Sequence, residues 1–315
     1  MRQITYNIQR YDGAKSFLQE YTFPHQPGKT ILWGLLFIKE TMDPTLAFTA
    51  ACRAAVCGAC AVRVNGQAVL ACETPLDNIL SRFGNTLLLE PIQNFKVIRD
   101  LVVDWEPQAK RMVAAKTWLA PKDEFSVKEG CRQSIADFKK ITPQINCILC
   151  GACASECAKL SANNNDFLEP FTYSKVWKFV ADTRDKSAAA RMQRIIDKGL
   201  WKCLHCAECA TKCPKGLAPG TDIARLHQLS IKMGHTKNAG ARHALAFLKD
   251  ISDTGRLNET KLSVRSIGLI GSITKLPFAL RLIRRGKLNP LHFPRKVKGH
   301  EQIIAILKAV RESEQ

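Results

Sequence analysis

No stretch of this 315-residue chain approaches the ~20 consecutive apolar residues of a membrane span. The sequence therefore predicts a soluble or peripheral protein. It also lacks a G-x-G-x-x-G fingerprint after any strand, a phosphate loop and a nucleophile–base constellation, so no substrate site is expected in the chain itself. No secretory leader opens it, which argues against disulfides. Acidic residues are scarce: 28 Asp and Glu stand against 47 Lys and Arg, a net charge of +19. Such an excess suits an acidic partner subunit or anionic lipid headgroups. Nucleic acid is the weaker candidate, because no stacking aromatics or recognised binding motif accompany the charge.

Cysteine, by contrast, is abundant, with thirteen residues. Cys147, Cys150, Cys153 and Cys157 form a C-x2-C-x2-C-x3-C run, and Cys203, Cys206, Cys209 and Cys213 repeat it, followed by Pro214. This spacing belongs to ferredoxins with two cubane clusters, in which the fourth cysteine of each run ligates the other cluster. The predicted sets are therefore crossed: Cys147, Cys150, Cys153 with Cys213 for one [4Fe–4S] cluster, and Cys203, Cys206, Cys209 with Cys157 for the other. Cys52, Cys57 and Cys60 with a remote Cys72 read C-x4-C-x2-C…C, the plant-type spacing for a [2Fe–2S] cluster. Small neighbours (Ala54, Ala55, Gly58, Ala59, Ala61) let that loop wrap a cluster and aim N–H groups at its sulfurs. Cys131 is left over and is expected as a free, buried thiol. Structural zinc prefers two separated pairs or Cys/His mixtures. His205 lies out of register for a ligand.

The pattern predicts an α+β chain in three parts. Residues 1–105 read as a β-grasp domain of the plant-type ferredoxin kind. Alternation at Ile4, Tyr6 and Ile8 marks a strand, Leu18–Phe23 a second, and Thr30 caps a helix from Ile31 to Glu40. Asn65–Gly66 turns a hairpin between Cys60–Val64 and Ala68–Cys72. Residues 106–233 read as an α-helical, bacterial-ferredoxin-like domain, with Val176, Trp177, Phe179, Val180, Met192, Ile195 and Ile196 as core between the two cysteine runs. Ala109, Met112, Val113 and Lys116 follow helical spacing at its start. Residues 234–315 are a cysteine-free, basic, helical extension. From Lys232 to Gln315 it has 17 Lys and Arg against 6 Asp and Glu. Its apolar Ile267–Leu282 stretch, closed by Arg281, Arg284, Arg285 and Lys287, reads either as a buried helix pair or as a docking arm for a partner or membrane surface.

With the three sites in this order, the chain resembles the iron–sulfur subunit of succinate dehydrogenases and fumarate reductases. The resemblance covers roughly residues 1 to 230. It rests on Asp43-Pro44-Thr45-Leu46, Cys52–Arg53, Cys57–Gly58, Asn65–Gly66, Leu70-Ala71-Cys72, Val97–Asp104, Asp182-Thr183-Arg184-Asp185 and Cys213-Pro214-Lys215-Gly216-Leu217. Two departures stand out. Most of the family leaves the Cys206 position without a thiolate and holds a three-iron cluster there. Here Cys206 is expected to complete a [4Fe–4S] cube as a fourth thiolate and, by its added negative charge, to lower the potential. Where the family has Pro after the cysteine equivalent to Cys157 and aromatics for a quinone pocket, this chain has Ala158-Lys159-Leu160-Ser161-Ala162. Thr254–Glu259 and Arg285–Leu288 look like the small iron–sulfur subunit of heterodisulfide reductases. Both departures fit the unconventional branch of the family.

The resemblance implies a flavoprotein partner with covalent FAD that interconverts succinate and fumarate. It also implies a membrane-side, quinone-reactive partner, cysteine-rich and similar to the heterodisulfide reductase B protein. Electrons would pass through the three centres in chain order, with the Cys57–Cys60 face toward the flavoprotein. The expected place is peripheral, on the cytoplasmic face of the membrane, with co-export alongside a partner as the alternative. The rivals are a subunit of a thiol- or disulfide-linked reductase, a ferredoxin-like subunit for another flavoprotein such as a 2-hydroxy-acid oxidase, and a zinc-binding nucleic-acid module.

Overall fold

The computed structural model describes residues 2–123, 126–128, 130–162, 166–287, 289 and 294–313. The chain divides into two compact units, residues 1–226 and 227–315. The division falls inside one helix, seven residues before the predicted start of the extension. The two predicted ferredoxin-type domains share the first unit.

Nine-residue strands β1 (Gln3–Tyr11) and β2 (Ser16–Pro24) pair antiparallel. Ile4, Tyr6 and Ile8 point to one face and are wholly buried, as their period-2 pattern dictates. Thr30 Oγ1 accepts from Trp33 N (3.4 Å) and starts α1 (Ile31–Thr41), whose Ile31, Leu32, Leu35 and Ile38 lie on that face. The Asn65–Gly66 turn joins β3 (Ala61–Val64) to β4 (Gln67–Leu70), both turn residues having positive φ. After α2 (Leu76–Phe83), β5 (Thr86–Glu90) enters between β1 and β3, parallel to β1, giving the order β2-β1-β5-β3-β4. A mixed sheet packed on α1 is the expected β-grasp.

The hairpin β6 (Lys96–Arg99) and β7 (Val102–Asp104) presents Asp100, which is 2 % exposed. Its carboxylate accepts from Tyr11 N (3.0 Å) and Ala47 N (2.8 Å) and pairs with Arg10 (2.9 Å). Arg10 also reaches Asp43 (2.7 Å). One buried guanidinium thus ties Asp43-Pro44-Thr45-Leu46 to Val97–Asp104, two segments that sequence reading could only note as signatures. Hydrogen bonds from Thr45, Tyr21 and Arg10 hold the Asp43 carboxyl far below the usual carboxylate range.

Helices α3 (Glu106–Ala114), α4 (Ile135–Ile145), α5 (Ala152–Ser155), α6 (Ala158–Ala162), α7 (Pro170–Val180), α8 (Ala188–Asp197), α9 (Glu208–Thr211) and α10 (Pro219–Lys232) follow. The predicted helix at Ala109–Val113 exists, but that stripe faces outward. Val113 is 62 % exposed, and the residue that α3 buries is Gln108. Val176, Phe179, Met192 and Ile195 are buried as expected, around Phe171 and Tyr173, whereas Trp177, Val180 and Ile196 are only half-buried. Cys131 is half-buried rather than buried; its carbonyl accepts from Arg184 (3.2 Å). In the second unit lie α11 (Ala239–Thr254), α12 (Glu259–Thr274), α13 (Leu276–Arg284) and α14 (His300–Ser313). Of the Arg285–Leu288 motif, Leu288 lies outside the described residues.

Candidate metal centres

The first cysteine loop, residues 52–60, curls over the end of β3 and β4. Arg53 and Ala55 take left-handed φ of 55° and 58°, and Gly58 one of 74°. That twist turns backbone N–H groups inward. Cys52 Sγ accepts from Ala54 N (3.4 Å), Val56 N (3.4 Å) and Cys57 N (3.3 Å). Cys72 Sγ accepts from Ala55 N (3.2 Å), and Cys60 Sγ from Cys72 N (3.4 Å). The N–H groups of Ala54 and Val56 pull the Cys52 thiol down to about 6, whereas burial pushes Cys60 up to about 12. Cys52 and Cys57 are exposed, leaving this loop at the protein surface.

The two longer runs share one backbone course. Leu149 and His205, each just before the second cysteine, have φ of 55° and 52°. Gly151 and Ala207, each just after it, have 81° and 63°. Five of the nine non-glycine residues with positive φ among the described residues lie in the three cysteine loops. Each costs of order 1–3 kcal/mol. The recurrence of such strain in all three loops is evidence that they are shaped for something they hold.

Side by side, the runs interleave. Cys147, Cys150, Cys153 and Cys213 line one cavity, with Leu217 and Pro219. Cys157, Cys203, Cys206 and Cys209 line a second, with Phe167 and His205. Among the described residues no three Cys, His, Asp or Glu side chains converge on a single ion. A cluster of several irons spreads its ligands wider than the Zn–S distance of about 2.3 Å allows around one zinc. Burial raises the thiols of Cys150 (to about 11), Cys153, Cys157, Cys203 and Cys209 (to about 12). Such buried sulfurs become thiolates only when positive charge displaces their protons, so the donor set fits iron–sulfur clusters. His205 contributes its backbone N–H to Cys203 Sγ (3.5 Å).

Several supporting residues were not legible in the sequence. A Cβ on Gly58 would lie 2.9 Å from Cys150 Cα and Cβ, so the first loop touches the second directly. Gly58→Ala is expected to destabilise by roughly 1–3 kcal/mol through that overlap and its positive φ. Thermal unfolding measures it, and an unchanged midpoint would deny the contact any structural weight. Gly151 is similarly tight against Ile92, Phe95 and Trp105. Glu156 accepts from Arg63 Nε and Ala68 N (both 3.2 Å), and Asn94 donates to Ala154 O (2.8 Å), clamping α5 onto the sheet domain. Lys175 Nζ donates to Gln144 O and Cys147 O (both 3.4 Å), bringing a cation to the second loop. A separate cavity of about 470 Å³, with Lys110, Arg111, Arg194 and Lys198 at its wall, shares Phe167 with the third cysteine set.

A β-grasp sheet with a plant-type cysteine loop, abutting a helical domain with two crossed cubane-type sets, defines a multicentre electron-transfer protein. Residues 5–110 match the model of the 2Fe-2S iron-sulfur cluster binding domain, and residues 144–217 that of the 4Fe-4S dicluster domain. The chain belongs to the iron–sulfur subunits of the succinate dehydrogenase and fumarate reductase family. It is 42 % identical to the 8-methylmenaquinol:fumarate reductase iron–sulfur subunit of Wolinella succinogenes, over 96 % of this chain and 97 % of that one. The fumarate reductase iron–sulfur subunit of Mycobacterium tuberculosis is 36 % identical over 71 % of this chain and 92 % of its own length. The mitochondrial succinate dehydrogenase [ubiquinone] iron–sulfur subunit of Dictyostelium discoideum is 30 % identical, over 72 % and 82 %. A chain of the Mycobacterium smegmatis Sdh1 complex in the apo form shares the fold, with a TM-score of 0.66 at 22 % identity, covering 74 % of this chain and 97 % of that chain. The protein is thus an electron-transfer iron–sulfur subunit of a succinate dehydrogenase/fumarate reductase oxidoreductase complex.

Proposed function

We propose that this subunit relays electrons between a flavoprotein with FAD that handles succinate and fumarate and a quinone-reactive partner at the membrane. The observation that carries the reading is the contact of the Gly58 loop with Cys150, which puts the first cysteine set against the second. In this reading Cys52, Cys57, Cys60 and Cys72 hold a [2Fe–2S] cluster. Cys147, Cys150, Cys153 and Cys213 hold one [4Fe–4S] cluster, and Cys157, Cys203, Cys206 and Cys209 hold another. When bound, these groups accept and release single electrons.

The chain's own residues set where and how easily that happens. N–H groups of Ala54, Ala55 and Val56 aimed at Sγ atoms stabilise the reduced, more negative state of the first centre. The exposed Cys52–Cys57 edge is the face offered to the flavoprotein. The cavity sharing Phe167 with the third set supports an exit on that side. The near-full-length match to a methylmenaquinol:fumarate reductase subunit favours quinol oxidation coupled to fumarate reduction, and the heterodisulfide-reductase-like segments Thr254–Glu259 and Arg285–Leu288 favour a cysteine-rich, heterodisulfide-reductase-like membrane-side subunit. The complex is read as peripheral on the cytoplasmic face, with co-export as the alternative.

The test is EPR on the anaerobically purified complex. As isolated it should lack the near-isotropic signal of an oxidised three-iron cluster. Stepwise reduction should reveal one [2Fe–2S] and two interacting [4Fe–4S] signals. A colourless protein, or one holding stoichiometric zinc, would overturn the reading.

A further inference from the structure

The basic extension contains a feature that electron transfer does not use. From residue 260 to residue 300 the chain has ten Lys and Arg and no Asp or Glu. The first half of α12 is fastened to α11. Arg242 Nε donates to Ser266 O (2.8 Å), His243 Nδ1 meets Ser266 Oγ (3.1 Å), and Arg265 pairs with Asp250. At Gly268, with φ 77° and ψ 175°, the helix breaks. Beyond it, none of residues 267–287 is buried. Leu269, Ile270 and Ile273 are 73, 83 and 67 % exposed, and Leu276, Phe278 and Leu280 are exposed as well. The buried-helix-pair expectation for Ile267–Leu282 is therefore overturned within this unit.

The exposed residues are sorted by chemistry. On α13, Leu276, Ala279, Leu280 and Ile283 recur at helical spacing on one face, flanked by Phe278 and Leu282. Arg281 and Arg285 gather on the other side of the helix, next to Phe278, with Arg284 one turn after Leu280 and Lys275 and Lys287 at the two ends. The α12 and α13 segments meet at 96°, so the apolar residues form a corner with cations around it. Among the described residues no single helix is long and apolar enough to cross a membrane; only the bent pair Lys261–Thr274 and Leu276–Arg284 together reach that length and composition. The nine residues of α13 span about 14 Å at 1.5 Å per residue, about half the ~30 Å hydrocarbon core. A short helix with an aliphatic face, an exposed aromatic and cations as its only charged groups has the composition of a helix lying in the headgroup layer. A protein-docking face is depleted of charge at its core and keeps its polar groups at the rim. Here the absence of acids over forty residues matches an anionic lipid surface instead.

We propose that the α12–α13 corner inserts its aliphatic side chains into an anionic phospholipid surface and anchors the subunit there without spanning it. The inference rests on the reading of the chain as a peripheral subunit of a membrane-linked complex. It is tested by sedimenting the full-length, cluster-loaded chain with vesicles of phosphatidylcholine, alone or with about one-third phosphatidylglycerol. Wild type should bind the mixed vesicles and not the neutral ones. Arg281→Ala/Arg284→Ala/Arg285→Ala should lower partitioning about 100-fold. Leu280→Ser/Ile283→Ser, which leaves the charge unchanged, should lower it roughly 10-fold or more. Failure of wild type to bind anionic vesicles would overturn the proposal and leave the corner to a partner protein. Full binding by the serine variant would also overturn it, by showing attraction to the net charge alone. The visible cluster spectrum, measured on the same samples, keeps the two readings apart. Colourless protein that still binds vesicles loses the electron-transfer reading only, and coloured protein that ignores them loses the anchor only.

Discussion

Cys206→Ala, isolated anaerobically, is expected to show the near-isotropic EPR signal of an oxidised three-iron cluster, and wild type is expected to show none. Cys206 is the exposed member of its set; Cys209 and Cys157 are buried and Cys203 half-buried. Three enclosed thiolates would remain to hold three corners, while the corner facing solvent lost its anchor. The variant should also have a higher potential at this centre, because one negative ligand is gone. EPR during a redox titration reads both effects. A strong three-iron signal already present in anaerobic wild type, unchanged in the variant, would make Cys206 a bystander. The conventional quinone-linked form of the family would then be the better description.

Arg191→Met should lower the stability of residues 1–226 by about 3–5 kcal/mol. Arg191 is completely buried. Its Nε donates to Lys116 O (2.7 Å), and its guanidinium also reaches Trp118 O and pairs with Asp185, whose side chain is equally inaccessible. Asp185 accepts in turn from Ala120 N (2.9 Å) and Ser187 N (2.7 Å). The group fastens the segment after α3 to α8. Methionine would fill much of the space but strand a buried carboxylate and two carbonyls. A loss of this size is a large part of the 5–15 kcal/mol typical of a folded protein. It corresponds to roughly 10 °C in the unfolding midpoint of a unit this long. The cluster absorbance of the second and third centres should bleach together with the unfolding. A midpoint within a degree or two of wild type would show that the surrounding apolar packing holds the segment alone.

Much of the molecule was readable from local order in the chain. Thr30 before an apolar run, Asn–Gly between two short strands and alternation through Ile4, Tyr6 and Ile8 are short-range rules, and each produced its element. The three cysteine spacings are local too, because the loops that present the thiolates are made within seven to eleven residues. Where a reading relied on periodicity alone it was less secure. The α3 stripe has helical spacing but faces outward, since a pattern sets the shape of a helix and not the direction in which its neighbours lie.

The sequence by itself determined the class of centre, the β-grasp and the family, because ligand chemistry and strand patterning are written in neighbouring residues. Tertiary structure decided the rest. It brought Gly58 against Cys150 across some ninety residues, threaded Arg10 between Asp43 and Asp100, and closed Arg191 over Asp185. It also left the apolar residues after Gly268 uncovered, where composition alone allowed either a core or a surface. Close approach and exposure depend on what the remainder of the chain packs against each residue. No window of sequence contains that information.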